Sequence, residues 1–137
     1  AQYRSTVDFS NAALQAAEAF YRQGNYEQAA KYLKGFSTKD DIMQAQANVL
    51  LGDSYVNIKK YDEAISAYDK ALRLAAGNQQ IAPAVLWKKA NIFDAQKKYQ
   101  DALNCYKQIK DSYPTFSFGN GISIDAYIAR EEARLAK

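Results

Sequence analysis

Apolar and polar positions recur along this chain with a helical period rather than the alternation of a strand. Residues 61–72, YDEAISAYDKAL, place Tyr61, Ala64, Tyr68 and Ala71 at spacings of three and four, so that they share one helix face. The pattern is written three times: residues 26–34 read YEQAAKYLK and residues 99–107 read YQDALNCYK. Each copy opens with Tyr, places Ala three residues later and puts Tyr or Leu four beyond that Ala. Tyr26, Tyr61 and Tyr99 are separated by 35 and 38 residues, the range in which helical-repeat arrays live. Upstream of each lies a second helical pattern with a small residue and an aromatic three apart: Ala17 and Phe20, Gly52 and Tyr55, Ala90 and Phe93. Polar or turn-forming residues join the two: QGN at 23–25, IKK at 58–60, QKK at 96–98. The chain therefore reads as helix, tight turn, helix, three times over, and all-α.

The joints carry their own signals. Asp40 suits the cap of a helix beginning near Asp41, with acidic side chains favoured in the first turn. AAGNQQI at 76–82 makes a longer joint, and Pro83 suits the first turn of the helix after it. Pro114 stops the sixth helix, TFSFGNG interrupts the pattern, and Ser123 is placed to cap a last helix over 123–136. On that helix Ile124, Tyr127, Ile128 and Leu135 form one stripe, with Arg130, Glu131 and Arg134 expected to face away. A polar-backed terminal helix is what an array needs to shield its open end. At the other end, Tyr3, Val7 and Phe9 are expected either to cover the first face of helix 10–22 or to mark a trimmed upstream repeat.

These residues resemble the tetratricopeptide repeat (TPR). That motif wants a small residue where Gly52 stands, an aromatic at Tyr55, Ala at Ala64, an aromatic at Tyr68 and Ala at Ala71, and the middle copy supplies them all. The third copy supplies Ala90, Phe93, Tyr99, Ala102, Tyr106 and a closing Pro114, with Ile109 in place of the last Ala. The first supplies Ala17, Phe20, Tyr26 and Ala29, with Leu33 and Phe36 at its last two positions. The resemblance implies one domain over 1–137: repeats at about 10–38, 45–78 and 83–116, wound as a right-handed superhelix and closed by the capping helix at about 123–136. In such packing Ala17, Gly52 and Ala90 are expected to face Ala29, Ala64 and Ala102, small side chains letting the backbones approach. GNYEQAAKYLKGFS, LLGDSYVNIKKYDEAISAYDKAL, KKYQDALNCYKQIKDSYP and the late YIAR also resemble the C-terminal repeats of bacterial cell-envelope TPR proteins of the YfgM-like kind. In those an N-terminal anchor precedes repeats that lie outside the inner membrane and take part in protein handling. The resemblance implies a periplasmic place in the envelope, with contact to the membrane only through an anchor absent from this sequence; the alternative is the cytoplasm.

Composition narrows the chemistry. The chain of 137 residues has no histidine and one cysteine, Cys105, which removes the commonest general base, the commonest metal ligand and any disulfide framework. Ser, Cys and Lys have no His partner, and no Gly-rich phosphate loop occurs. Neither enzyme activity nor a cofactor or metal is expected. The net charge of +3 is mild, and nucleic-acid binders concentrate more on one face, so no nucleic acid is expected. Lys59–Lys60 and Lys97–Lys98 occupy the same turn of successive repeats, a solvated rim where the first copy has Gly24 and Asn25.

The informative surface is the one the resemblance assigns to the first helix of each pair. There the motif places Glu18, Tyr21 and Arg22, then Asp53 and Asn57, then Trp87, Asn91 and Asp94. An aromatic beside amides and carboxylates is the composition of a peptide groove, while Trp87 packing as core is the alternative. The groove is expected to take an extended, apolar or basic protein segment. The TPR subclass that grips a C-terminal carboxylate needs Lys, Asn and Arg where this chain has Leu14, Glu18, Leu50 and Ala84, so an acidic tail is not expected. The function expected is a non-enzymatic interaction scaffold; the alternative is a self-association module of a membrane-anchored envelope protein, giving a homo-oligomer.

Overall fold

A computed structural model of the chain describes the backbone of residues 2–137 and the side chains of residues 12–137. The described residues form seven helices: α1 (Gln2–Arg22), α2 (Tyr26–Lys34), α3 (Asp41–Asn57), α4 (Tyr61–Ala75), α5 (Ile81–Ala95), α6 (Tyr99–Ser112) and α7 (Ile124–Leu135). They pair as three hairpins, α1 with α2, α3 with α4 and α5 with α6, followed by the single helix α7. The first helix starts eight residues earlier than the apolar pattern suggested, so residues 2–9 continue α1. The side chains of Tyr3, Val7 and Phe9 lie outside the described residues.

The hairpin turns share one geometry. Gly24, Lys59 and Lys97 have φ of +79°, +63° and +62°, the left-handed conformation in which Gly is favoured and other residues are uncommon. In each, the next residue's N–H reaches back five positions: Asn25 to Phe20 O at 2.9 Å, Lys60 to Tyr55 O at 2.8 Å, and Lys98 to Phe93 O at 2.8 Å. The left-handed residue itself donates to Tyr21, Val56 and Asp94 respectively, at 3.0 Å each time. This is the Schellman arrangement, which satisfies carbonyls left open at a helix end. It also turns the chain at once into the second helix.

Other ends are closed by side chains. Asp40 Oδ1 accepts the Met43 N–H at 3.0 Å and Ser123 Oγ that of Ala126 at 3.2 Å, both as their sequence positions suggested. Asn78 Oδ1 accepts from Gln80 and Ile81 at 2.9 and 2.8 Å, so the 76–82 joint is an ordered entry into α5.

The chain divides into two compact units, residues 1–75 and 76–137. In the first, α2 packs on α1 and α3, and α3 on α4. Ala17, Leu33 and Ala47 form a buried cluster flanked by Leu14, Phe36, Leu50 and Leu51. Ser54 is fully buried and returns its hydroxyl to the Leu50 carbonyl at 2.8 Å, which removes the cost of burying it. The tightest approach at Gly52 is made by the Tyr68 ring: an added Cβ would sit 2.6 Å from its Cδ1, with Cε1 and Cζ of the same ring as the other nearest atoms. Gly52 is a slot for an aromatic ring.

In the second unit α6 packs on both α5 and α7. Tyr106 is buried and stacks on Tyr127, ring centroids 4.9 Å apart and planes 12° from parallel. The 115–121 segment carries Phe118 into contact with Tyr127 at 4.8 Å, and Asn120 Nδ2 donates to the Tyr127 hydroxyl at 2.9 Å. The interruption in the sequence pattern is thus a packed strap, and its aromatic pairs contribute about 0.5–1.5 kcal/mol each beyond burial. The stripe expected on α7 is only partly the buried one. Tyr127 is buried, but Leu135 is 43% exposed and Glu131 is fully buried. The reason is the charge cluster described below, which turns the helix to bring Glu131 inward.

Gly52→Ala should lower unfolding free energy by about 1–3 kcal/mol, the usual cost of overpacking. Gly24→Ala should cost about 1 kcal/mol through its left-handed φ, whereas Lys59→Gly should not destabilise. Urea unfolding of the three variants checks this; equal midpoints for wild type, Gly52→Ala and Gly24→Ala would contradict it.

Candidate functional site

The residues expected to build a binding face divide between the two units. In residues 1–75 the structure brings Tyr21, Asp53 and Asn57 together. Asn57 Nδ2 donates to the Tyr21 hydroxyl at 3.2 Å and to the Asp53 carbonyl at 2.9 Å, tying α1 to α3. Burial, and then the nearby Asp53 charge, raise the Tyr21 hydroxyl above its ordinary pKa, so it stays protonated. Glu18 and Tyr21 are half-buried, and Arg22 and Asn57 are exposed.

Asp53 also serves the core. Its Oδ1 accepts the hydroxyl of Tyr68, the buried ring that fills the Gly52 slot. Burial first, and then the Asp53 charge, push the Tyr68 hydroxyl far above its ordinary pKa. The hydroxyl is therefore a fixed donor, and α4 reports to the α3 face through it. Pattern reading missed this partnership because Tyr68 lies on the second helix of its hairpin.

In residues 76–137, Trp87 is half-buried and stands edge-on to Phe118, centroids 4.9 Å apart, with Tyr127 at 6.3 Å. Asn91 is exposed, and Asp94 is half-buried. Asp94 Oδ1 accepts from Arg134 Nη1, an ion pair between α5 and α7. Beside it Glu131 Oε1 accepts from Arg130 Nη2 at 3.1 Å and lies 3.4 Å from Arg134 Nη1. Glu131 Oε2 has no hydrogen-bond partner. Arg130 also donates to the Tyr106 hydroxyl at 3.2 Å, whose pKa burial pushes up to about 12.

Two carboxyls in this cluster shift oppositely. Burial raises Glu131, helped by the neighbouring Asp94 carboxylate, against the pull of Arg130. Burial would raise Asp94 as well, but the Arg134 hydrogen bond and the surrounding guanidinium charge outweigh it and hold Asp94 low. The signal available in sequence was the Arg130, Glu131, Arg134 spacing, which puts two cations around one carboxylate. Its meaning needed Asp94, brought from another helix.

Among the described residues no three His, Cys, Asp or Glu side chains form a group able to hold a metal ion, and no helix is long and apolar enough to cross a membrane. Cys105 is buried on α6.

Tandem helix hairpins built on small-residue slots and aromatic rings define a helical-repeat interaction protein. The chain belongs to the tetratricopeptide repeat family: the family's profile matches residues 14–79 and again 51–115. This repeat is a non-enzymatic protein-interaction module. The chain is also similar to a protein of Neisseria gonorrhoeae (strain ATCC 700825 / FA 1090) named an ancillary SecYEG translocon subunit, 31% identical over 119 residues. That match covers 85% of this chain and 54% of the relative, so the chain spans about half the relative's length.

The opposed shifts have opposite consequences for stability. Glu131, raised in the fold, favours folding most at low pH, and this contribution falls as pH rises through its folded pKa. Asp94, depressed in the fold, stabilises above the ordinary carboxylate pKa and is lost as pH falls through its folded pKa. Glu131→Gln should therefore keep its Tm near neutrality and lose the rise in Tm expected of the wild type on mild acidification. Asp94→Asn should lower Tm at about pH 7 and flatten the acid limb. Thermal melts across the acid-to-neutral range check both, and superimposable profiles for wild type and Glu131→Gln would contradict the burial of an unpaired carboxyl oxygen.

Proposed function

We propose that the chain is a scaffold that grips an extended protein segment on the faces of α1, α3 and α5. The observation that carries this reading is the TPR match running from residue 14 to residue 115. In the proposal the repeats form one domain over residues 1–137, a right-handed superhelix whose concave face gathers Glu18, Tyr21 and Arg22 with Asp53 and Asn57, and with Trp87, Asn91 and Asp94. Three carboxylates and an indole favour a segment that is apolar or basic. Exposed Arg22, Asn57 and Asn91 supply side chains for its backbone.

The name of the gonococcal relative, an ancillary translocon subunit, supports placing the scaffold in the bacterial cell envelope, on the periplasmic side. There it would hold extended chain beside protein-translocation machinery. Self-association through an open helix face is the competing use of the same fold.

A labelled extended peptide alternating Leu or Phe with Lys should bind and quench or shift Trp87 emission. Trp87→Ala should weaken that binding by about 2 kcal/mol, roughly thirty-fold. Because Trp87 also packs on Phe118, Asn91→Ala and Asn57→Ala, both exposed, serve as second variants. Unchanged affinity in all three folded variants would move the binding surface elsewhere. A concentration-dependent dimer mass, lost in the same variants, would favour self-association.

A further inference from the structure

Residues 1–75 contain nine Lys and Arg and nine Asp and Glu, so this part of the chain has no formal net charge. The charges are nevertheless segregated. Two depressions share Lys34 and lie where α2 and α3 meet. The larger, about 460 Å³, extends to the last turns of α4 and has Leu33, Phe36, Leu51 and Leu74 as its apolar lining. Lys34, Lys70 and Arg73 stand at the same site, all exposed. The smaller, about 350 Å³, adds Lys31 and Lys60 and the one carboxylate of the pair, Glu27. Five of the nine cations are therefore gathered there with one of the nine acids.

Thr38 donates its N–H to Gln44 Oε1 at 3.0 Å, which holds the 35–40 loop against α3 at one end of the larger groove. Asn48, only 8% exposed, lines the same groove with an amide that can donate and accept. None of Glu18, Tyr21, Arg22, Asp53 or Asn57 lines either depression. This surface is separate from the face assigned to the basic or apolar segment, and of opposite charge.

We propose that the α2–α3–α4 groove docks a second partner: a short amphipathic protein segment that seats one or two large apolar side chains among Leu33, Phe36, Leu51 and Leu74 and presents Asp or Glu to Lys34, Lys70 and Arg73. The apolar floor supplies affinity and the cations supply steering and choice of partner. Cations at the edge of a partly desolvated groove act over a few ångströms, inside the roughly 8 Å over which salt at physiological strength screens charge.

The test is fluorescence anisotropy on the whole chain, with a labelled peptide of about twelve residues, long enough to cross a standard interface core, alternating Leu or Phe with Asp or Glu. Wild type should bind it, and raising salt should weaken the binding. A Lys70→Glu, Arg73→Glu double variant, whose substitutions are exposed and whose helicity circular dichroism verifies, should lose at least about ten-fold in affinity, near 1.4 kcal/mol. The same peptide with Ser in place of Leu and Phe should also bind at least ten-fold more weakly. Trp87→Ala should bind the acidic peptide as wild type does, which separates this site from the proposed inner face. Equal binding of the two acidic peptides would reduce the site to general charge attraction and overturn the proposal. So would undiminished binding by the folded double variant, or displacement of the peptide by vesicles of anionic phospholipid.

Discussion

Each hairpin depends on one residue held in a conformation that most side chains avoid. At Gly24, Lys59 and Lys97 the chain passes through positive φ, and the two backbone bonds of the Schellman arrangement lock it there. Only with the turn so closed can the second helix fall back on the first. The Gly52 slot and its Tyr68 ring depend on that return, as does the contact between α5 and α6. Two of the three positions accept the strain of a lysine, and nothing in the structure explains why lysine rather than glycine stands at 59 and 97.

The hairpins were legible in the sequence because their cause is periodic. Small and aromatic residues three or four apart must share a helix face, and the copies repeat that arrangement at nearly constant spacing. Caps were legible where the chemistry is local, as at Asp40 and Ser123. What stayed hidden depends on residues distant in sequence. Gly52 announces a close approach but not that Tyr68 makes it. Lys59 and Lys97 are poor markers of a left-handed turn. The amphipathic reading of α7 set Glu131 on the polar side because a helix wheel cannot see Asp94 and Tyr106 arriving from other helices to meet Arg134 and Arg130.

Of the candidate residues the sequence offered, few of the contacts could be read in advance. Tyr21, Asp53 and Asn57 meet as neighbours, yet Asp53 also holds the Tyr68 hydroxyl and Asp94 holds Arg134. Both carboxylates thus serve the fold, Asp53 by tying α3 to α4 and Asp94 by tying α5 to α7. Charge segregation in residues 1–75 was invisible for a related reason: Lys31, Lys34, Lys60, Lys70 and Arg73 are spread over more than forty residues, and only the folded helices gather them.

The terminal helix gives this arrangement a further role. By pairing Arg134 with Asp94 and carrying Tyr127 against Phe118, which in turn meets Trp87, α7 and its strap act as a built-in occupant of the α5 surface. They mask an acid and one edge of an indole that would otherwise face water. The acid of the third repeat is thus paired with an arginine and its indole partly covered, whereas the acid of the second is hydrogen-bonded to a neutral tyrosine hydroxyl. Two repeats written in nearly the same letters consequently present different chemistry.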